Sequence, residues 1–124
     1  MKPGKTGLAR IIDATGYSFL GIRAAFAHEA AFRQELLLAV VMGSAAFWLA
    51  RSTLEWLLLV APLIIMLIVE LLNSAIERVV DRFGHELHEL SGQAKDMGSA
   101  AVFFSLMLVA VTWGAIAWDR FGGA

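Results

Sequence analysis

The sequence contains no cysteine, so a disulfide framework and a thiolate metal centre are both closed to it, and its redox compartment leaves no mark. Proline is nearly as scarce, with two residues, and only Pro62 falls inside a long apolar run. Charge is thin as well: Asp, Glu, Lys and Arg make up 17% of the chain, against about 25% in soluble domains. With a net charge of −1, no basic face is available to neutralise phosphates, and nucleic acid is not an expected partner. A GxxxxGK[ST] loop and the HRD and DFG elements of soluble kinases are also missing. The first 35 residues, broken by Arg10, Asp13, Arg23, Glu29, Arg33 and Glu35, lack the continuous apolar core of a cleavable leader.

Apolar side chains fill the gap. They form 59% of the chain, and the mean hydropathy is +0.70. Three stretches are uncharged over a membrane-scale length: 36–50 (LLLAVVMGSAAFWLA), 56–69, which continues past Glu70 through Leu71, Leu72, Ala75 and Ile76, and 97–118. A span needs about 20 mostly apolar helical residues. The expected fold is therefore all-α: a single 1–124 membrane domain with spanning helices at about 30–50, 55–81 and 96–119. Pro62 is tolerable in a spanning helix when neighbours satisfy the freed carbonyl.

Of the ten basic residues, all but Arg51 and Arg120 precede the first span or lie between the second and third. The positive-inside rule then puts the N-terminus and the 78–96 segment in the cytoplasm and the C-terminus in the periplasm. Trp48, Trp56, Trp113 and Trp118 stand where interfacial anchors would. Ahead of the spans, Leu8, Ile11, Ile12, Phe19, Ile22 and Phe26 recur at helical spacing among polar residues. This pattern predicts an amphipathic helix over about 6–28, lying in the headgroup layer. The repeated MGSAA at 42–46 and 97–101 reads as small-residue surface for close helix packing.

One stretch breaks the apolar pattern. In VELLNSAIERVVD, at 69–81, Glu70, Asn73, Glu77 and Asp81 fall on one helix face near the end of a span. An ionisable residue costs about 2.5–3.5 kcal/mol at the centre of a membrane helix, so it is expected to face protein, water or a cation. Glu29 and Glu35 occupy the corresponding end of the first span, and Lys95 with Asp96 that of the third. Hard oxygen ligands of this kind suit Mg²⁺ with phosphate oxygens, and a further carboxylate could act as base toward a hydroxyl. Spacing alone leaves three uses open: phosphoryl transfer, a proton or cation pathway, and a structural ion-pair cluster. The HExHE run of His85, Glu86, His88 and Glu89 lacks the zincin HExxH spacing and is not read as a zinc site.

The stretches TGLARIIDATGYSFLGIRAAF, HEAAFRQE (28–35), VELLNSAIERVVDR (69–82) and HELSGQAKDMGSAAV (88–102) together resemble the small integral-membrane diacylglycerol kinases of Gram-negative bacteria, over nearly the whole chain. The ExxNxxxE core is shared with undecaprenol kinases. The EAAFRQE and HELSGxAKDMGSAAV blocks are specific to the diacylglycerol branch.

That resemblance implies a homotrimeric bundle in the inner membrane, with sites shared between subunits, that phosphorylates diacylglycerol to phosphatidic acid using ATP and Mg²⁺. It casts Glu70 as the base, Glu29 and Glu77 as the metal carboxylates, and Asn73 and Asp81 as supporting residues. Nucleotide contacts are implied at Arg10, Tyr17, Glu29, Glu77, Glu86, Leu87, His88, Lys95 and Asp96. The diacylglycerol cleft is implied at Arg10, Ala14, Ser18, Phe19, Ala31, Glu35, Glu70, Ser99 and Trp113. The family commonly has a basic residue at 13 and Trp at 19, where this chain has Asp13 and Phe19, and Leu20 stands where a polar residue is frequent. Those departures bear on lipid preference rather than on the chemistry. The competing readings are a polyprenol kinase and, in a different class, a non-catalytic ion-pathway or assembly subunit.

Overall fold

The computed structural model describes residues 6–83 and 89–122. Over those residues the long apolar runs fold as helices, which pair backbone N–H and C=O groups within one segment. The order is α1 (Gly7–His28), α2 (Ala30–Leu49), α3 (Thr53–Arg82) and α4 (Glu89–Ala117), closed by a π-helical turn at Trp118–Gly122. Three of the helices, Ala30–Leu49, Thr53–Arg82 and Glu89–Gly122, are long and apolar enough to cross a membrane.

Local chemistry explains the joints. A single extended residue, Glu29 (φ −118°, ψ 106°), ends α1 and starts α2. The Arg33 guanidinium reaches back to donate to the carbonyl oxygens of Phe26 (2.8 Å) and Ala27 (3.4 Å). It thereby satisfies carbonyls that the last turn of α1 would leave bare. At the 50–52 turn, the Ser52 hydroxyl accepts the Glu55 N–H at 3.1 Å, and the Glu55 carboxylate accepts the Arg51 N–H at 3.0 Å. This reciprocal cap starts α3 sharply.

α3 is the central element, packed against both α4 and α2. Its buried residues, Leu59, Pro62, Leu63, Met66, Glu70, Asn73 and Ser74, follow one stripe at three- and four-residue intervals. Toward the 50–52 turn that stripe is apolar: Leu59 packs with Ala46 and Ile116, and Leu63 and Met66 pack with Val109. Beyond Met66 it becomes polar. Pro62 brings no N–H to the ladder, which weakens the turn before it. The indole N–H of Trp113 donates to the Leu59 carbonyl oxygen at 2.9 Å and ties α4 across that turn.

Two expectations change here. α4 begins at Glu89, upstream of the expected start near 96, because the polar run through Ser91 and Gly92 is carried inside the helix. Trp48 and Trp118 are exposed, as interfacial anchors would be, but Trp113 turns inward between both core clusters. The apolar side chains of α1, among them Leu8, Ile11, Ile12 and Phe19, remain largely uncovered by the rest of the chain.

Candidate functional site

The polar half of the α3 stripe builds the site. Glu70 is 4% exposed, Asn73 9% and Ser74 5%, and Glu35 of α2, at 9%, is buried beside them. The carboxyl groups of Glu35 and Glu70 lie side by side, with Glu35 Oε2 buried and without a hydrogen-bond partner, and Glu29 and Glu77 lie near enough to act on the Glu70 charge. One turn beyond Glu70, the Asn73 carboxamide donates to Glu77 Oε1 at 3.0 Å. A four-residue interval on a helix puts those two side chains on the same face, so the amide can set the direction of the carboxylate.

The other end of that amide meets α4. Asn73 Oδ1 is buried without a hydrogen-bond partner and rests on Gly98, where a Cβ would run into it. The missing side chain at position 98 lets the carboxamide sit between the two helices. At the rim, Lys95 Nζ binds Asp81 Oδ1 at 2.6 Å, and Arg78 Nη2 lies 3.6 Å from Glu29 Oε1. Both rim pairs are substantially exposed, so solvent screening leaves each little part in stability.

The chain thus brings Glu29, Glu35, Glu70, Asn73, Glu77, Asp81 and Lys95 together from three helices. It leaves others outside the cluster. Arg10, Tyr17, Ser18 and Phe19 are exposed along α1, with Ala14 half-buried there, and Ala31, Asp96 and Ser99 are exposed. Trp113 lies about 27 Å along α4 from Lys95, taking 1.5 Å for each of the 18 residue steps from one to the other. Glu86, Leu87 and His88 are outside the described residues.

Whether a divalent cation suits this cluster can be judged from its donors. Among the described residues, no three acidic or imidazole side chains close on one point. The chain instead presents Glu29 and Glu77, both half-buried and each near enough to Glu70 to act on its charge, and Asn73 Oδ1 is buried without a partner. One or two carboxylates completed by phosphate oxygens and water is the usual Mg²⁺ arrangement, so the donor set fits. It does not fit zinc, which wants four tight ligands of its own.

Three residues of this region escape a reading of the sequence. Gly98 seats Asn73, Arg33 fastens the α1–α2 joint, and Arg78 pairs with Glu29. Only Gly98 has a visible signal, the small-residue MGSAA run read as packing surface.

Comparison with known proteins gives a consistent result. The sequence profile described as "Prokaryotic diacylglycerol kinase" matches residues 16–117. The protein named diacylglycerol kinase in Escherichia coli (strain K12) is 52% identical, covering 98% of this chain and 100% of the relative. The one in Pseudomonas aeruginosa is 57% identical over 91% of this chain and 92% of the relative. A Helicobacter pylori protein of the same name is 42% identical over 90% and 88%.

Proposed function

Because this chain belongs to the prokaryotic diacylglycerol kinase family, we propose that it moves the γ-phosphoryl group of ATP onto the free hydroxyl of diacylglycerol at the cytoplasmic face of the inner membrane. The observation that carries this reading is the α3 stripe, which changes from apolar packing to Glu70 and Asn73 at one level, with Glu29 and Glu77 beside them.

Glu70 is the base. Its carboxylate takes the hydroxyl proton; the alkoxide oxygen bonds to the γ-phosphorus as the bond from that phosphorus to the β,γ-bridging oxygen breaks. The products are phosphatidate and ADP. Position supports the assignment, since a diacylglycerol hydroxyl sits at headgroup depth and Glu70 lies between the apolar core and the charged rim. Burial excludes bulk water, which would otherwise compete as phosphoryl acceptor.

Glu29 and Glu77 would hold Mg²⁺. Bound there, the cation supplies positive charge to the β- and γ-phosphate oxygens. Asn73 keeps Glu77 aimed through the 3.0 Å bond. Lys95 is placed to exchange Asp81 for a phosphate oxygen as a point charge. Asp96, Arg10, Tyr17 and the 86–88 segment would complete the nucleotide contacts, and the lipid would enter beside α1. Several of these groups stand apart from the cluster within one chain, which supports a homotrimer in which neighbours complete each site, with the N-terminus cytoplasmic and the C-terminus periplasmic.

The test uses the purified full chain in lipid bilayers with γ-labelled ATP, Mg²⁺ and either diacylglycerol or undecaprenol. Label in phosphatidate is the expected result. Label only in polyprenyl phosphate makes the chain a polyprenol kinase, and label in neither removes catalysis.

A further inference from the structure

Arg78 has no part in the reaction just described, yet the structure sets it in an ion pair with Glu29, a carboxylate proposed to hold Mg²⁺. Its Nη2 lies 3.6 Å from Glu29 Oε1, with the arginine side chain 52% exposed and that of Glu29 25%. Successive helix residues point about 100° apart. Arg78 is therefore turned away from the Glu77 side of α3 and toward α1. There it joins Ser18, Ile22, Ala25, Leu71 and Ala75 in lining a cavity of about 430 Å³ between α1 and α3.

Glu29 is fixed from the other side. Its N–H donates to the Ala25 carbonyl at 2.8 Å, its carbonyl accepts the Arg33 N–H at 3.2 Å, and the Arg33 side chain clamps the preceding turn. The backbone of the joint is thus held while the carboxylate reaches Arg78. A guanidinium and a divalent cation cannot share that carboxylate at full strength: they compete for the same lone pairs and repel each other.

We propose that Arg78 is an internal counter-ion of Glu29 that competes with the divalent cation and so sets how tightly the site takes it. This inference rests on Glu29 being a cation ligand. Occupancy by the metal displaces the guanidinium from Glu29, and departure of the metal lets it return. The half-exposed pair keeps the carboxylate compensated between turnovers without holding it strongly.

The test needs no turnover. Mn²⁺ alone is titrated into the full chain in bilayers, and free Mn²⁺ is followed by its electron paramagnetic resonance signal. Arg78→Ala is expected to bind Mn²⁺ about two- to five-fold more tightly than the parent, the range an exposed ion pair can supply. Arg78→Lys, which keeps the charge, is expected within about two-fold of the parent, by the same reasoning about exposed pairs. Arg78→Gln keeps more of the aliphatic cavity wall and carries the same expectation as Arg78→Ala should the alanine variant not fold.

Binding by the uncharged variants that is equal, weaker or undetectable overturns the counter-ion role. Glu29→Gln, made both in the parent and together with Arg78→Ala, separates the two layers of the argument. If it weakens Mn²⁺ binding and erases the gain that Arg78→Ala otherwise brings, the competition runs through Glu29 as stated. If it weakens binding while Arg78→Ala tightens nothing, only the counter-ion fails. If it leaves the parent's binding unchanged, the ligand role of Glu29 fails and the inference falls with it.

Discussion

Asn73 is caught between two helices, with one end of its carboxamide on Glu77 and the other against Gly98. Gly98→Ala gains about 1 kcal/mol of helix propensity, but the added methyl overpacks the interface at a cost of about 1–3 kcal/mol. The easiest relief is to move the amide. The expected result is a melting temperature changed by only a few degrees with turnover reduced at least about tenfold, as misplaced catalytic groups cost. Parent kcat and KM in Gly98→Ala would show that Asn73 need not hold its seat. Glu70→Gln keeps the size of the buried side chain and removes the base; turnover should fall by at least about 10²-fold while nucleotide binding, measured by calorimetry, persists. Near-parent turnover would take the proton transfer away from Glu70. Glu77→Gln should raise the nucleotide KM and the Mg²⁺ requirement, and unchanged values would mark Glu77 as a structural acid. At this scale the sequence exposes the acids well, because charge inside a span is conspicuous. It hides Gly98 and Arg78, whose roles depend on what faces them across another helix.

At the scale of elements, α3 has its weakest turn at Pro62, and the Trp113 indole braces it from α4. Trp113→Phe preserves an aromatic ring and removes the N–H, leaving the Leu59 carbonyl without that donor. A loss of about 0.5–1.5 kcal/mol is expected for one neutral hydrogen bond, seen as a lowered unfolding midpoint with the diacylglycerol KM unchanged. An unchanged midpoint with a raised lipid KM would instead support the lipid-cleft role that the family resemblance implies for Trp113. The span positions were legible because uncharged runs of this length have few other fates. The first turns of α4 were not: Ser91, Gly92 and Gly98 lower helix propensity one at a time, and the helix runs through all of them. The joint at Glu29 was equally hidden, since an arginine four residues on closes it through carbonyls of the preceding helix.

Across the molecule as a whole, large apolar side chains cover much of the outside. Leu37, Val40 and Val41 on α2, and Phe103, Phe104 and Val111 on α4, are at least 58% exposed. A patch of this extent needs lipid or protein against it, and the proposed trimer would bury part of it. Native mass spectrometry from mild detergent should give three chains per particle. Mixing chains bearing Glu70→Gln with chains bearing Arg10→Ala should then restore some activity, because the proposed shared site draws the α3 carboxylates from one subunit and the α1 contacts from its neighbour. A fully active monomer would place the whole reaction within one chain. The fold class was legible at this scale from composition and the length of the uncharged runs, whereas the association of copies was not, because no single chain's pattern records which lipid-facing surface has a neighbour.

The joint at Glu29 couples two mechanical parts. One extended residue lets the chain turn from α1 into α2, and that residue also carries one of the carboxylates proposed for Mg²⁺. Were α1 to lie in the headgroup layer, as its amphipathic pattern predicts, a tilt forced on it by bilayer thickness or curvature would swing the same side chain. On that proposal, stress in the bilayer and the cation end of the site would be linked through one clamped residue.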